Sequence, residues 1–225
     1  MSKSLKIWAT GGLFFLLAFA TPGLAMAPAD AADRDLAAET WVQDIANNAA
    51  EIMSDPGTTS DQIVSEFEDL IINNAALGSF GRSALGAYSR TISEADFDIY
   101  VALLGQYATS VVQGRFSEYS GQTILVTGSS VDARENFAYV NVNSDVLSAE
   151  GDVQATVRWL LIRRNDQYRV YDITVETTDE SASFSLLQTQ REEFNSVLSG
   201  NAGNFDALFD YLRQRIREAG GTPVN

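Results

Sequence analysis

The sequence predicts an α+β protein in which helices gather before and after one antiparallel sheet. Three observations carry that expectation. Apolar residues recur at the helical period from residue 34 to 116, strand-like alternation takes over after Gly121, and two helical stretches close the chain.

Residues 34–54 place Ala38, Val42, Ile45, Ala49 and Ile52 on one face, and Pro56-Gly57 ends that helix. A second helix opens with Ser60 as its N-cap and carries Ile63, Phe67, Leu70 and Ile71. The glycine-punctuated stretch from Leu77 to Arg90 reads as a weak or broken helix. Ser93 caps a long helix, with Asp96 at the capping-box position and Phe97, Tyr100, Leu104, Ala108 and Val111 on one side. Four strands follow, over 122–130, 135–146, 151–164 and 168–178, rich in Val, Ile, Thr and aromatics. Asn165-Asp166-Gln167 and Ala149-Glu150-Gly151 are the short turns of a meander. The last helices span 183–198 and, after Asn204 as N-cap, the stretch to residue 218 with Phe205, Leu208, Phe209, Leu212 and Ile216.

Residues 1–27 read as a cleaved export signal, with the cut placed between residues 25 and 32. Lys3 and Lys6 precede the apolar run Ile7–Ala20, Pro22-Gly23 breaks it, and small residues follow. The run falls short of the roughly 20 residues that span a bilayer. Residues 28–225 are then expected as a single domain, long enough to bury a core without disulfides. With no cysteine, acylation at a cleavage-site Cys is excluded, and a soluble secreted protein is expected.

The chain carries −15, and loss of the two leader lysines deepens this to −17. Such a protein is repelled by nucleic acid and by anionic lipid surfaces. Without histidine or cysteine, Ser-His-Asp and Cys-His nucleophile systems and His-based metal sites are excluded. An enzyme here would work with carboxylates, Tyr or Arg. The best carboxylate pair on one strand face, Asp172 and Glu176, stands roughly 13 Å apart by strand rise, beyond the spacing of about 5–9.5 Å in paired glycosidase acids.

The sheet is amphipathic. Val153, Ala155, Val157, Trp159 and Leu161 share one face of the third strand, while Tyr171, Ile173 and Val175 share one of the fourth. Ala138, Val140 and Val142 oppose Asn141 and Asn143 in the second. A filled core and a ligand pocket give the same pattern.

Two segments resemble the MlaC family of periplasmic phospholipid-binding proteins. Leu85-Gly86-Ala87-Tyr88-Ser89-Arg90, then Ser93, Tyr107 and Tyr119-Ser120-Gly121-Gln122, follow one family pattern. Tyr171-Asp172-Ile173, then Ser185-Leu186-Leu187 through Arg191 to Phe194, and Gly203 to Leu208, follow another. The chain departs from it at Thr177–Phe184, which lengthens the junction between last strand and helix. The resemblance implies helices on a four-stranded, cone-like sheet of the nuclear-transport-factor type, with a lipid pocket between sheet and helices. It implies a periplasmic, non-enzymatic carrier that maintains outer-membrane lipid asymmetry. Its expected partners are phospholipid, an inner-membrane lipid ABC transporter complex and an outer-membrane lipoprotein–porin complex. No cofactor is expected, the bound phospholipid being cargo. A hopanoid carrier of the same family, an enzyme on a related cone-shaped fold and a lipid-free adaptor are the alternatives.

On this reading the sheet-side lining candidates are Val140, Val142, Val157, Trp159, Leu161, Tyr171, Ile173 and Val175. The helix-side candidates are Leu104, Tyr107 and Val111. Arg90, Arg158 and Arg191 are the candidates for the head-group phosphate, since a guanidinium matches it bidentately.

Overall fold

Residues 34–55, 57–113, 119–133, 137–177 and 183–224 are described by the computed structural model, and the expected export signal lies outside them. Six helices and five strands run in the order α1 (Leu36–Ser54), α2 (Ser60–Asn74), α3 (Leu77–Leu85), α4 (Glu94–Gln113), β1 (Thr123–Ala133), β2 (Ala138–Leu147), β3 (Val153–Arg164), β4 (Gln167–Thr177), β5 (Ser183–Ser185), α5 (Leu186–Gly200) and α6 (Phe205–Glu218) among the described residues.

Side-chain caps fix where the helices start. Asp35 accepts from the Ala38 amide at 3.0 Å and begins α1. The cap of α2 is Thr59, not the expected Ser60. Thr59 and Gln62 form a reciprocal capping box, whereas a box built on Ser60 would need Ile63 to accept a hydrogen bond. Ser93 accepts from the Asp96 amide at 3.1 Å, as its spacing predicts, and Asn204 caps α6. The segment expected to be weak splits into α3 and a 3-10 turn over Gly86–Arg90. Gly86 makes that break with φ +57, a left-handed conformation that costs other residues energy.

The strands form an antiparallel meander in the order β1-β2-β3-β4-β5. The β3–β4 turn places Asn165 and Asp166 at φ 50 and 58, the backbone of a tight hairpin whose twist matches its strands. The expected four strands become five. Ser183–Ser185 pairs with Thr174–Glu176 where the sequence predicts the start of a helix. Three residues are too few to display alternation, and Ser185 caps α5 by accepting from Gln188, so the helix starts at Leu186.

Two separate hydrophobic clusters result. One joins α3, α4, α5 and α6, with Tyr100, Leu103, Phe194, Leu198, Leu208 and Leu212 fully buried. The other joins Ala38 and Val42 of α1 to the inner face of β2, β3 and β4. Among the described residues no buried side chain belongs to both.

Polar contacts lock α1 onto the sheet. The Asp35 carboxylate accepts from Arg163 at 2.6 Å and from the Tyr168 hydroxyl at 2.8 Å. Glu39 accepts from Ser129 of β1 at 2.6 Å and pairs with Arg34. These donors hold the Glu39 carboxyl below its ordinary value, Arg34 being the largest influence. Gln43 donates to the Ile124 carbonyl and accepts from the Val126 amide, satisfying backbone groups of an edge strand.

Candidate functional site

Strand register assembles the apolar wall. Val140 pairs with Leu161, Val142 with Trp159 and Ser144 with Val157 across β2 and β3; Val157 pairs with Val175 and Trp159 with Ile173 across β3 and β4. Six sheet-side candidates (Val140, Val142, Val157, Trp159, Leu161 and Val175) therefore share one buried cluster, with Ile173 packed against it. Burial across the wall is graded. Val140, Val142 and Leu161 are 0% exposed, whereas Val157, Trp159 and Val175 keep 5%, 8% and 7%. The polar edge of Trp159 is satisfied inside the sheet, where its indole N–H donates to Ser144 at 2.9 Å.

The helix-side candidates lie elsewhere. Leu104 and Tyr107 are buried in the helical cluster and Val111 packs against it, so the structure does not bring them together with the sheet wall. Tyr107 neighbours a polar group formed by buried Gln190 and half-buried Glu193, Tyr211 and Arg215. Burial raises the pKa of its hydroxyl, and the Glu193 carboxylate adds to that shift. Tyr211 donates to Glu193 in the same group.

Tyr171 does not share the face of Ile173 and Val175. A bulge between Leu160 and Leu161 leaves it unpaired in the register and sets Val170, instead, opposite Leu161. Its ring lies against Tyr139, 6.1 Å between centroids, on the face that alternates away from the buried one. Its hydroxyl is 2.6 Å from Ser83 on α3. An extra residue in one strand re-aims a side chain in this way.

That reorientation places Tyr171 in a cavity of about 510 Å³ lined by Arg82, Ser83, Gly86, Ala87, Arg90, Tyr171, Leu187 and Arg191. Two of the three head-group candidates, Arg90 and Arg191, thus meet in one place. The third does not join them: Arg158 alternates to the outer face and pairs with Glu176 at 3.6 Å. Arg82 and Ser83 were not singled out from the sequence. Arg82 is held by Glu94 at 3.3 Å and by the face of Phe97 at 3.9 Å. A second concavity, about 460 Å³ between α1 and α2, is lined by Glu51, Asp55, Glu66 and Asp69 among others, with no basic side chain among the described residues.

The carboxylates weighed for catalysis have structural partners. Asp172 accepts from the amides of Ile173 and Leu187 at 2.8 and 2.9 Å and from the Ser185 hydroxyl at 2.7 Å, joining the bulge to the start of α5. Glu176 is the partner of Arg158. Among the described residues no group of His, Cys, Asp or Glu is arranged to hold a metal ion, and no helix is long and apolar enough to cross a membrane.

An antiparallel meander with helices before and after it in sequence and an apolar inner face define an α+β fold. The chain belongs to the MlaC family, whose model matches residues 43–214. Among solved structures it is similar to a phospholipid-binding protein from Ralstonia solanacearum determined in complex with a phospholipid. The TM-score is 0.64 at 16% sequence identity, covering 81% of this chain and 98% of that one. Comparison with curated protein sequences gives no significant match.

Proposed function

We propose that this protein is a periplasmic phospholipid carrier that takes lipid between an outer-membrane lipoprotein–porin complex and an inner-membrane ABC transporter, binding its cargo without chemistry. The observation that carries the reading is family membership together with the separation of the two hydrophobic clusters. An α+β protein of this size ordinarily has one contiguous core. Among the described residues the sheet wall and the helical bundle are distinct, and Val157, Trp159 and Val175 of the wall retain slight exposure. Acyl chains laid against those residues would continue the apolar surface of the wall.

The energetics suit a carrier. Two acyl chains of about 16 carbons represent some 25 kcal/mol of gross transfer from water, at ~0.8 kcal/mol per CH₂. A free lipid therefore does not cross an aqueous compartment at a useful rate. Pocket and bilayer are both apolar, so exchange between them needs only a small bias from a partner complex. The structural relative named above was solved with a phospholipid bound, which supports the same cargo here.

Native mass spectrometry of the protein purified gently from its periplasm tests the reading. Phospholipid in a fixed molar ratio is the expected result. Apo protein alone would count against it, and a hopanoid in the same ratio would keep the carrier and change the cargo.

A further inference from the structure

We infer that the cavity bounded by Arg90, Arg191 and Tyr171 is a phosphate-binding site. The inference rests on the carrier reading only for the source of the phosphate, which is either a lipid head group or the free ion.

The charge pattern is the first ground. The chain has 30 acidic and 15 basic side chains, yet among the described residues this cavity is lined by three arginines and no carboxylate. Arg82 is already compensated by Glu94 at its outer edge. Arg90 and Arg191 form no ion pair with a carboxylate among the described residues. In so acidic a protein, two guanidinium groups that line one cavity and pair with no acid among the described residues are placed to receive charge from outside.

Geometry is the second ground. A Cβ at Gly86 would stand 3.4 Å from both Nε and Nη2 of Arg191, so the absence of a side chain there lets the guanidinium lie close over the turn. The Tyr171 and Ser83 hydroxyls, 2.6 Å apart, leave one further hydroxyl hydrogen to donate once the other is used between them. Arg90, Arg191 and the two hydroxyl residues line one volume of about 510 Å³, sufficient for a phosphate group and its neighbours. Guanidinium–phosphate pairs of this kind are bidentate and charge-assisted. Leu187 supplies the apolar contribution to the same wall.

The test compares delipidated wild-type protein with Arg90→Gln/Arg191→Gln, and with Arg164→Gln/Arg217→Gln, which removes the same charge at two other exposed positions. Three readouts are taken: inorganic phosphate affinity by calorimetry, extraction of phosphatidylglycerol from vesicles, and uptake of a diacylglycerol with the same acyl chains. If the phosphate belongs to the lipid, wild type prefers phosphatidylglycerol over the diacylglycerol. The cavity variant then loses that preference by at least about tenfold, one charge-assisted bond's worth, with diacylglycerol uptake unchanged. If the phosphate is free, inorganic phosphate binds wild type and weakens by a similar factor in the cavity variant, while lipid preference is unchanged. Equal behaviour of wild type and cavity variant in all three readouts overturns the site. So does an equal loss in the control variant, which would be a bulk charge effect. A protein that binds phosphate through Arg90 and Arg191 but takes up neither lipid overturns the carrier reading and leaves the site standing.

Discussion

The indole N–H of Trp159 donates to the hydroxyl of Ser144, which lies across the β2–β3 ladder at full burial and donates in turn to the Val157 carbonyl. Ser144→Ala leaves the indole donor buried and unpaired, and we expect it to destabilise the protein by about 1–3 kcal/mol. Trp159→Phe in the Ser144→Ala background should cost less than in the wild type, because the donor is removed with its partner. Urea unfolding of the two single variants and the double variant measures this. Strict additivity would mean the hydrogen bond contributes nothing.

Graded burial of the wall predicts two outcomes for the same kind of substitution. Leu161 is fully enclosed, so Leu161→Asp buries an unpaired charge and abolishes cooperative unfolding at ordinary temperature. Val157, on the same wall, keeps 5% exposure. Val157→Asp and Trp159→Glu should lose co-purifying lipid while keeping a cooperative transition. Lipid content and thermal unfolding are measured together. Normal lipid content in both of these variants would place the cargo elsewhere.

Glu39 predicts an acid limb of stability. Its carboxyl is held below its ordinary value of 4.5 by Arg34 and Ser129. A depressed folded-state pKa contributes stability that is complete above the unfolded value and is lost as pH falls through the folded one. Urea midpoints should therefore decline as pH drops below 4.5. Glu39→Gln should lower the midpoint at pH 7 and flatten the acid decline. An unchanged slope in the variant would assign the acid sensitivity to other carboxylates.

Gly86→Ala forces a side chain into a left-handed turn, φ +57, and brings its Cβ to 3.4 Å from the Arg191 guanidinium. The backbone penalty alone is about 1–2 kcal/mol. Thermal unfolding should report that loss, with Gly105→Ala as a helical reference without the φ strain. Equal stability of the two variants would mean that the turn relaxes freely.

Much of this architecture is legible in the sequence because periodicity and caps are local. Ser93, Asn204 and the Asn165-Asp166 turn stand where their neighbours predict. The fifth strand is not legible, since Ser183–Ser185 is too short to show a period and is recognised only by its ladder to β4. Tyr171 illustrates a deeper limit. Alternation assigns it to the face of Ile173, but the bulge at Leu160/Leu161 turns it outward, and nothing in the pattern marks a bulge. Arg158 was legible after all: it alternates with Val157 and Trp159 and so faces away from the wall. The division into two clusters was not, because periodicity says which face is buried and not what buries it.

The pairing of Asp35 with Arg163 joins positions 128 residues apart. A chain emerging N-terminus first, from a ribosome or a translocation channel, exposes α1 long before β3 exists to receive it. The sheet-side core therefore cannot close until most of the polypeptide is out, and non-local pairing of this kind is slow to form. Delayed closure leaves its apolar strands unpaired meanwhile, an interval in which a holding chaperone would have something to grasp.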